Sequence, residues 1–157
     1  MEFARIHLRA WWVGALVLLS AMAAPALLAR GDQPTIEELK GRVANASVGD
    51  RPALCIHISE RQLDTADKFY VAGDSEQGKA ALVDVVAFSE LARDYAIQSH
   101  KHEKPSEIAI RKMTRKLDAM KHTVAHEDQD QIQTTIDRLE HIRDDLLGAM
   151  FPKGVKK

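Results

Sequence analysis

The chain has 157 residues, which suits a single domain, and its 45% hydrophobic and 29% charged residues exclude a wholly disordered protein. The net charge of −1 gives no global reason to bind nucleic acid. A single cysteine, Cys55, excludes an internal disulfide framework, a zinc site built on paired thiolates and the Cys-x-x-Cys-His motif of covalent haem.

Residues 1–29 have the composition of a secretory signal peptide. Arg5 and Arg9 give a positive start, residues 11–29 are uncharged, and residues 21–26 (AMAAPA) supply small residues at cleavage spacing. The alternative is an uncleaved anchor, because the 19 uncharged residues can just span a bilayer of about 30 Å. We therefore expect an exported protein, periplasmic or secreted, or one anchored to the membrane by residues 11–29.

Apolar residues recur at spacings of three and four through most of the remaining chain, which predicts helices. The apolar residues predicted to face the core are Ile56, Leu63, Ala66, Tyr70, Leu82, Val85, Val86, Phe88, Ala92, Tyr95, Ile110, Met113, Leu117, Met120, Val124, Ile132, Ile136, Leu139, Ile142, Leu146 and Met150. Thr35 and Glu38 fit a capping box, and Gly73 marks a turn between two helices. No run alternates apolar and polar residues long enough to predict a strand. The predicted helices run from Thr35 to Ala46, from Pro52 to Ala72, from Asp74 or Ser75 to Ser99, from Pro105 through Val124, and from Asp128 or Asp130 to Met150.

This pattern predicts an all-α fold: an antiparallel bundle of two helical hairpins with a short extra N-terminal helix. Residues 101–126 carry a net charge of +4 and residues 127–150 a net charge of −5, so we expect the last two helices to attract each other. We expect Cys55 to behave as a small buried hydrophobe. The predicted domains are 1–29 (leader), 30–51 (short helix and linker), 52–151 (bundle) and 152–157 (disordered basic tail).

Histidine is the residue type whose spacing suggests chemistry. His122 and His126 lie four residues apart, so on one helix they share a face and are candidate metal ligands, with Glu127 or Asp130 as an oxygen donor. The alternative is a pair of ordinary surface histidines near a helix C-terminus. We predict no catalytic residue and no cofactor, because the chain lacks G-x-S-x-G, a glycine-rich phosphate loop and HExxH.

The stretch from Ala66 to Glu76 (ADKFYVAGDSE), followed by small residues at Ala80 and Ala81, resembles the turn of a tetratricopeptide hairpin. The resemblance covers about residues 52–99, and Gly78 stands where that family usually has alanine. The chain is also similar in style to small secreted bacterial helical proteins of unassigned function. These resemblances imply a helical fold and an exported location, and they imply no activity.

The sequence thus predicts a non-catalytic protein-interaction module rather than an enzyme. The expected partner is another envelope or secreted protein, or a second copy of the chain. Nucleic acid is not expected, because no aromatic residues are interleaved with the basic residues of the fourth helix. Membrane contact is expected only through the N-terminal segment, if it stays attached. The alternative function is periplasmic metal binding by His122 and His126.

Overall fold

A computed structural model of the protein describes residues 33–152, and within this range all regular structure is helical, which confirms the all-α prediction. The predicted leader and nearly all of the basic tail lie outside the described residues. None of the helices in the described range is long and apolar enough to cross a membrane. The helices are α1 (Ile36–Asn45), α2 (Arg51–Val71), α3 (Ser75–Ser99), α4 (Glu103–Lys121) and α5 (His126–Met150).

The first helix begins at the predicted capping box. The Thr35 hydroxyl accepts a hydrogen bond from the backbone N–H of Glu38 at 3.2 Å, and the Glu38 carboxylate accepts one from the backbone N–H of Thr35 at 2.7 Å. Two otherwise unpaired amide donors are thereby satisfied, which stabilises the helix start by about 1 kcal/mol. The helix packs on α2 and buries Leu39.

Helices α2 and α3 form a hairpin around a tight turn. Gly73 has a φ of +79°, a left-handed conformation in which a side chain is strained, and the Asp74 carboxylate caps α3 by accepting from the Gln77 N–H. Between the two helices, the Ser59 hydroxyl lies 3.3 Å from the carbonyl oxygen of Val85. A serine side chain reaches the facing backbone only when two helices approach closely.

Helices α4 and α5 form a second hairpin that stacks on the first, with α2 beside α4 and α3 beside α5. Ion pairs fix the directions: Lys79 near the start of α3 contacts Asp128 near the start of α5, and Arg93 contacts Asp145 near their ends. Corresponding helices are therefore parallel, whereas the two helices within each hairpin are antiparallel. In this arrangement α3 contacts α2, α4 and α5.

Most residues predicted to face the core are buried, although Tyr70, Val86, Phe88, Tyr95, Val124 and Met150 are only partly buried. Cys55 is fully buried, as predicted, and this burial raises the pKa of its thiol to about 11. The thiol is therefore protonated at neutral pH. The predicted core residues that are buried are Ile56, Leu63, Ala66, Leu82, Val85, Ala92, Ile110, Met113, Leu117, Met120, Ile132, Ile136, Leu139, Ile142 and Leu146.

In the connection between the hairpins, two histidines have a left-handed backbone conformation. His100 has a φ of 54° and His102 a φ of 61°, and α4 then begins at Glu103, two residues before its predicted start. Pro105 is tolerated inside α4 because the amides of a first helical turn have no intrahelical acceptor.

Replacing His102 by glycine is expected to raise the free energy of unfolding by about 0.5–1 kcal/mol. Glycine adopts the left-handed conformation without the Cβ penalty, and this gain exceeds the extra entropy that glycine has in the unfolded chain. Urea denaturation measures the effect. Lys101→Gly is the matched control, since Lys101 has no positive φ and should lose stability. Equal losses in both variants would contradict the prediction.

Candidate functional site

The structure separates the predicted metal pair at a helix boundary. His122 is the C-cap of α4, whereas His126 is the first residue of α5, and both side chains are exposed. The expectation that they share one face of a single helix is therefore wrong. The chain leaves the helix at residues 122–125, where neither glycine nor proline marks the break.

Within residues 33–152, no group of three or more His, Cys, Asp or Glu side chains is placed to hold a metal ion. The proposed oxygen donors Glu127 and Asp130 are exposed, as are His122 and His126. Metal binding by the two histidines stays a prediction.

One buried carboxylate joins the two hairpins. Asp128 is only 1% exposed, its Oδ2 accepts a hydrogen bond from the Ser75 hydroxyl at 2.6 Å, and its Oδ1 lies 3.1 Å from Lys79 Nζ. The hydrogen bond from Ser75 and the adjacent Lys79 ammonium hold the pKa of Asp128 below its usual range, although burial opposes them. This carboxylate therefore ties the start of α5 to the start of α3.

A cation shared by two carboxylates lies near each end of α3. Lys79 contacts Glu76 at 3.1 Å as well as the buried carboxylate of α5. Near the other end, Arg93 contacts Asp94 at 2.8 Å and Asp145 at 2.9 Å. One cation and two carboxylates leave each group with a formal charge of −1. We call them the first cluster (Glu76, Lys79, Asp128) and the second cluster (Arg93, Asp94, Asp145).

Between these clusters, α3 exposes a row of apolar side chains, which we call the α3 strip: Ala80, Val83, Ala87 and Leu91. Their spacings of three, four and four residues place them on one side of the helix. Val83 is 59% exposed and Leu91 39%, and both alanines are exposed. The strip extends about 16 Å along the helix axis, at a rise of 1.5 Å per residue. Helix α3 thus has one apolar side in the core and a second apolar side facing outward.

The outer faces of α4 and α5 are charged instead. On α4 the exposed side chains include Lys104, Arg111, Lys112 and Arg115, and on α5 they include Asp130, Asp137, Glu140 and Asp144. Among the outward faces of α3, α4 and α5, the α3 strip is therefore the apolar one.

Helices α4 and α5 do pair in one hairpin, as their opposite net charges predict, but the ion pair between them does not follow those charges. In the described part of the chain, α4 and α5 share one ion pair, from Arg143 Nε to Glu107 Oε1 at 2.8 Å, and its signs are the reverse of the prediction. Lys116 of α4 instead contacts Asp64 and Asp67 of α2. Apolar side chains of both helices pack in the common core of the bundle.

Comparisons with protein-family models, curated proteins and solved structures find no match to this chain. The resemblance of residues 52–99 to a tetratricopeptide hairpin therefore stays a prediction. The structure does give a local reason for glycine at position 78, because a Cβ there would lie 2.9 Å from the Tyr70 ring.

Proposed function

We propose that this protein is a non-catalytic protein-interaction module, and that the α3 strip is the surface on which an α-helix of a partner protein docks. The observation that carries the proposal is the row of exposed apolar side chains. Isolated exposed apolar residues are ordinary on protein surfaces, but a row at helical spacing matches the pattern by which one helix packs on another.

The chemistry of the α3 strip suits a helix rather than a small molecule. Ala80 and Ala87 allow a close approach between two backbones, while Val83 and Leu91 offer apolar area to be buried. Their burial by a partner would contribute about 1–2 kcal/mol each. A helical partner offers an equally long and convex row of side chains, which fills the spaces between these residues.

The α3 strip is also held rigid before any partner binds. Helix α3 packs against three other long helices, and the ion pairs of both clusters tie it to α5. Docking therefore orders little backbone, which lowers the entropic cost of association. If residues 1–29 direct export, as their composition predicts, the partner is an envelope or secreted protein.

Site-specific photo-cross-linking in cells that produce the full chain tests this proposal. We expect a benzoylphenylalanine in place of Val83 to give one defined adduct with a partner, whereas the same residue in place of the exposed Ala119 on α4 gives none. Mass spectrometry of the adduct identifies the partner and the residues that it contributes.

A matched pair of variants separates docking from folding. Ala87→Glu is expected to abolish the Val83 adduct, because it places a charge in the α3 strip, whereas Ala119→Glu is expected to preserve it. Circular dichroism checks that both variants remain helical. Equal cross-linking from positions 83 and 119, or an adduct that survives Ala87→Glu, would overturn the proposal.

A further inference from the structure

Each end of the α3 strip is marked by an exposed carboxylate. Positions 76, 80, 83, 87, 91 and 94 follow one another at spacings of three or four, so Glu76 and Asp94 lie on the same side of α3 as the strip. The Glu76 side chain is 87% exposed and that of Asp94 is 60% exposed. A helix that docks along the strip with its axis nearly parallel to α3 therefore passes over both carboxylates.

Neither exposed carboxylate has a cation to itself. Lys79 is shared between Glu76 and Asp128. The buried Asp128 carboxylate is desolvated, so it depends on this counter-charge more than the exposed Glu76 does. In the same way, Arg93 is shared between Asp94 and Asp145. Both clusters therefore present unneutralised negative charge, about 27 Å apart at a rise of 1.5 Å per residue.

This distribution of charge disfavours a second copy of the chain as the occupant. If two α3 strips pack in antiparallel register, Glu76 of one copy lies opposite Asp94 of the other. If they pack in parallel, each carboxylate lies opposite its own equivalent. Both arrangements bring like charges together at both ends of the interface, which costs free energy and favours a partner of opposite charge.

We infer that the docking segment of the partner is an α-helix with an apolar face of small and aliphatic residues, flanked by Lys or Arg side chains about 18 residues apart. One cation contacts each cluster. This inference rests on the proposed function of the α3 strip, and it adds the chemistry of the partner. Because both clusters carry negative charge, the inference specifies the spacing of the partner's cations but not whether the partner helix runs parallel or antiparallel to α3.

Synthetic helical peptides test the inference against the purified full chain. The probe has alanine and leucine on one face and two lysines 18 residues apart, matching the interval from Glu76 to Asp94. The first comparison peptide has glutamates at those two positions, and the second has its lysines only about 11 residues apart, three helical turns. We expect the probe to bind about three- to tenfold more tightly than either, by fluorescence anisotropy at low salt, with the difference shrinking as salt is added.

Variants of the chain test whether the two clusters cause the preference for the lysine probe. Glu76→Gln with Asp94→Asn is expected to remove the preference for the lysine probe, whereas the control pair Asp137→Asn with Glu140→Gln on the outer face of α5 is expected to keep it. Loss of the preference in both double variants would overturn the inference, because it would reflect net charge alone.

The remaining outcomes distinguish this inference from the proposed function. If Ala87→Glu weakens the binding of all three peptides equally and the chain shows no preference among them, docking at the α3 strip is supported. The inference that a partner cation contacts each cluster is then overturned. If Ala87→Glu leaves all binding unchanged, the proposed function fails as well. Sedimentation of a dimer that Ala87→Glu dissociates would identify a second copy as the occupant and would also overturn the inference.

Discussion

Replacing Gly78 by alanine is expected to lower the free energy of unfolding by about 1–3 kcal/mol, although alanine is the better helix former. A Cβ at this position would lie 2.9 Å from two atoms of the Tyr70 ring and 3.0 Å from a third. The ring is partly buried and packs against the core, so the clash forces either the ring or the hairpin to move. This strain exceeds the gain of about 1 kcal/mol in helix propensity.

The same substitution at Gly148 serves as the matched control and should have the opposite sign. Gly148 lies in α5 and a Cβ there would meet nothing within 4 Å, so Gly148→Ala is expected to stabilise the protein by about 0.5–1 kcal/mol. Urea denaturation of both variants measures the two effects. A stabilising Gly78→Ala would show that the Tyr70 ring does not pack on the backbone of α3 as the structure has it.

Replacing Asp128 by asparagine is expected to lower the free energy of unfolding by about 1.5–3 kcal/mol at neutral pH. The variant keeps the size of the side chain but loses the charge that binds the Ser75 hydroxyl and pairs with Lys79. Asp130→Asn is the control, because Asp130 is exposed two residues further along α5, and its effect should stay within about 0.5 kcal/mol.

The effect of Asp128 should also depend on pH in a defined direction. The pKa of Asp128 is lower in the folded protein than in the unfolded chain, so its contribution to stability is complete well above the unfolded value of about 3.9. That contribution is lost as the pH falls through the lowered folded pKa. The stability difference between the protein and Asp128→Asn should therefore shrink below about pH 4, and a constant difference would exclude the ionised carboxylate as its source.

Local signals predict most of the fold. The capping box at Thr35 and Glu38, the turn at Gly73 and the cap at Asp74 each depend on residues within a few positions of one another. The apolar stripes likewise follow from the helical period, so the buried side of each long helix is predictable from its own residues.

The features that sequence reasoning missed depend on partners distant along the chain. Ser75, which binds Asp128, lies 53 residues before it, and Arg143 lies 36 residues after Glu107. Net charge per helix could not identify either pair. The break between His122 and His126 was missed for a different reason: the intervening residues contain no glycine or proline, and the helical spacing of Val124 continues the stripe of α4.

The α3 strip did leave a signal in the sequence. Ala80, Val83, Ala87 and Leu91 repeat at helical spacing on the side of α3 opposite its predicted core positions. The sequence of α3 alone does not show which of its two apolar sides faces the core, because that depends on how all the helices pack. In the structure α2, α4 and α5 cover one side of α3 and leave the strip exposed.

The buried Cys55 thiol can report how often the core of the bundle opens. A thiol that is fully buried and has a pKa of about 11 reacts with an alkylating reagent only in molecules whose core has opened around it. Since the chain contains one cysteine, every such molecule gains a single increment of mass. When reclosing is faster than alkylation, the rate of mass gain under native conditions gives the opening equilibrium of the bundle, without denaturant and without an introduced label.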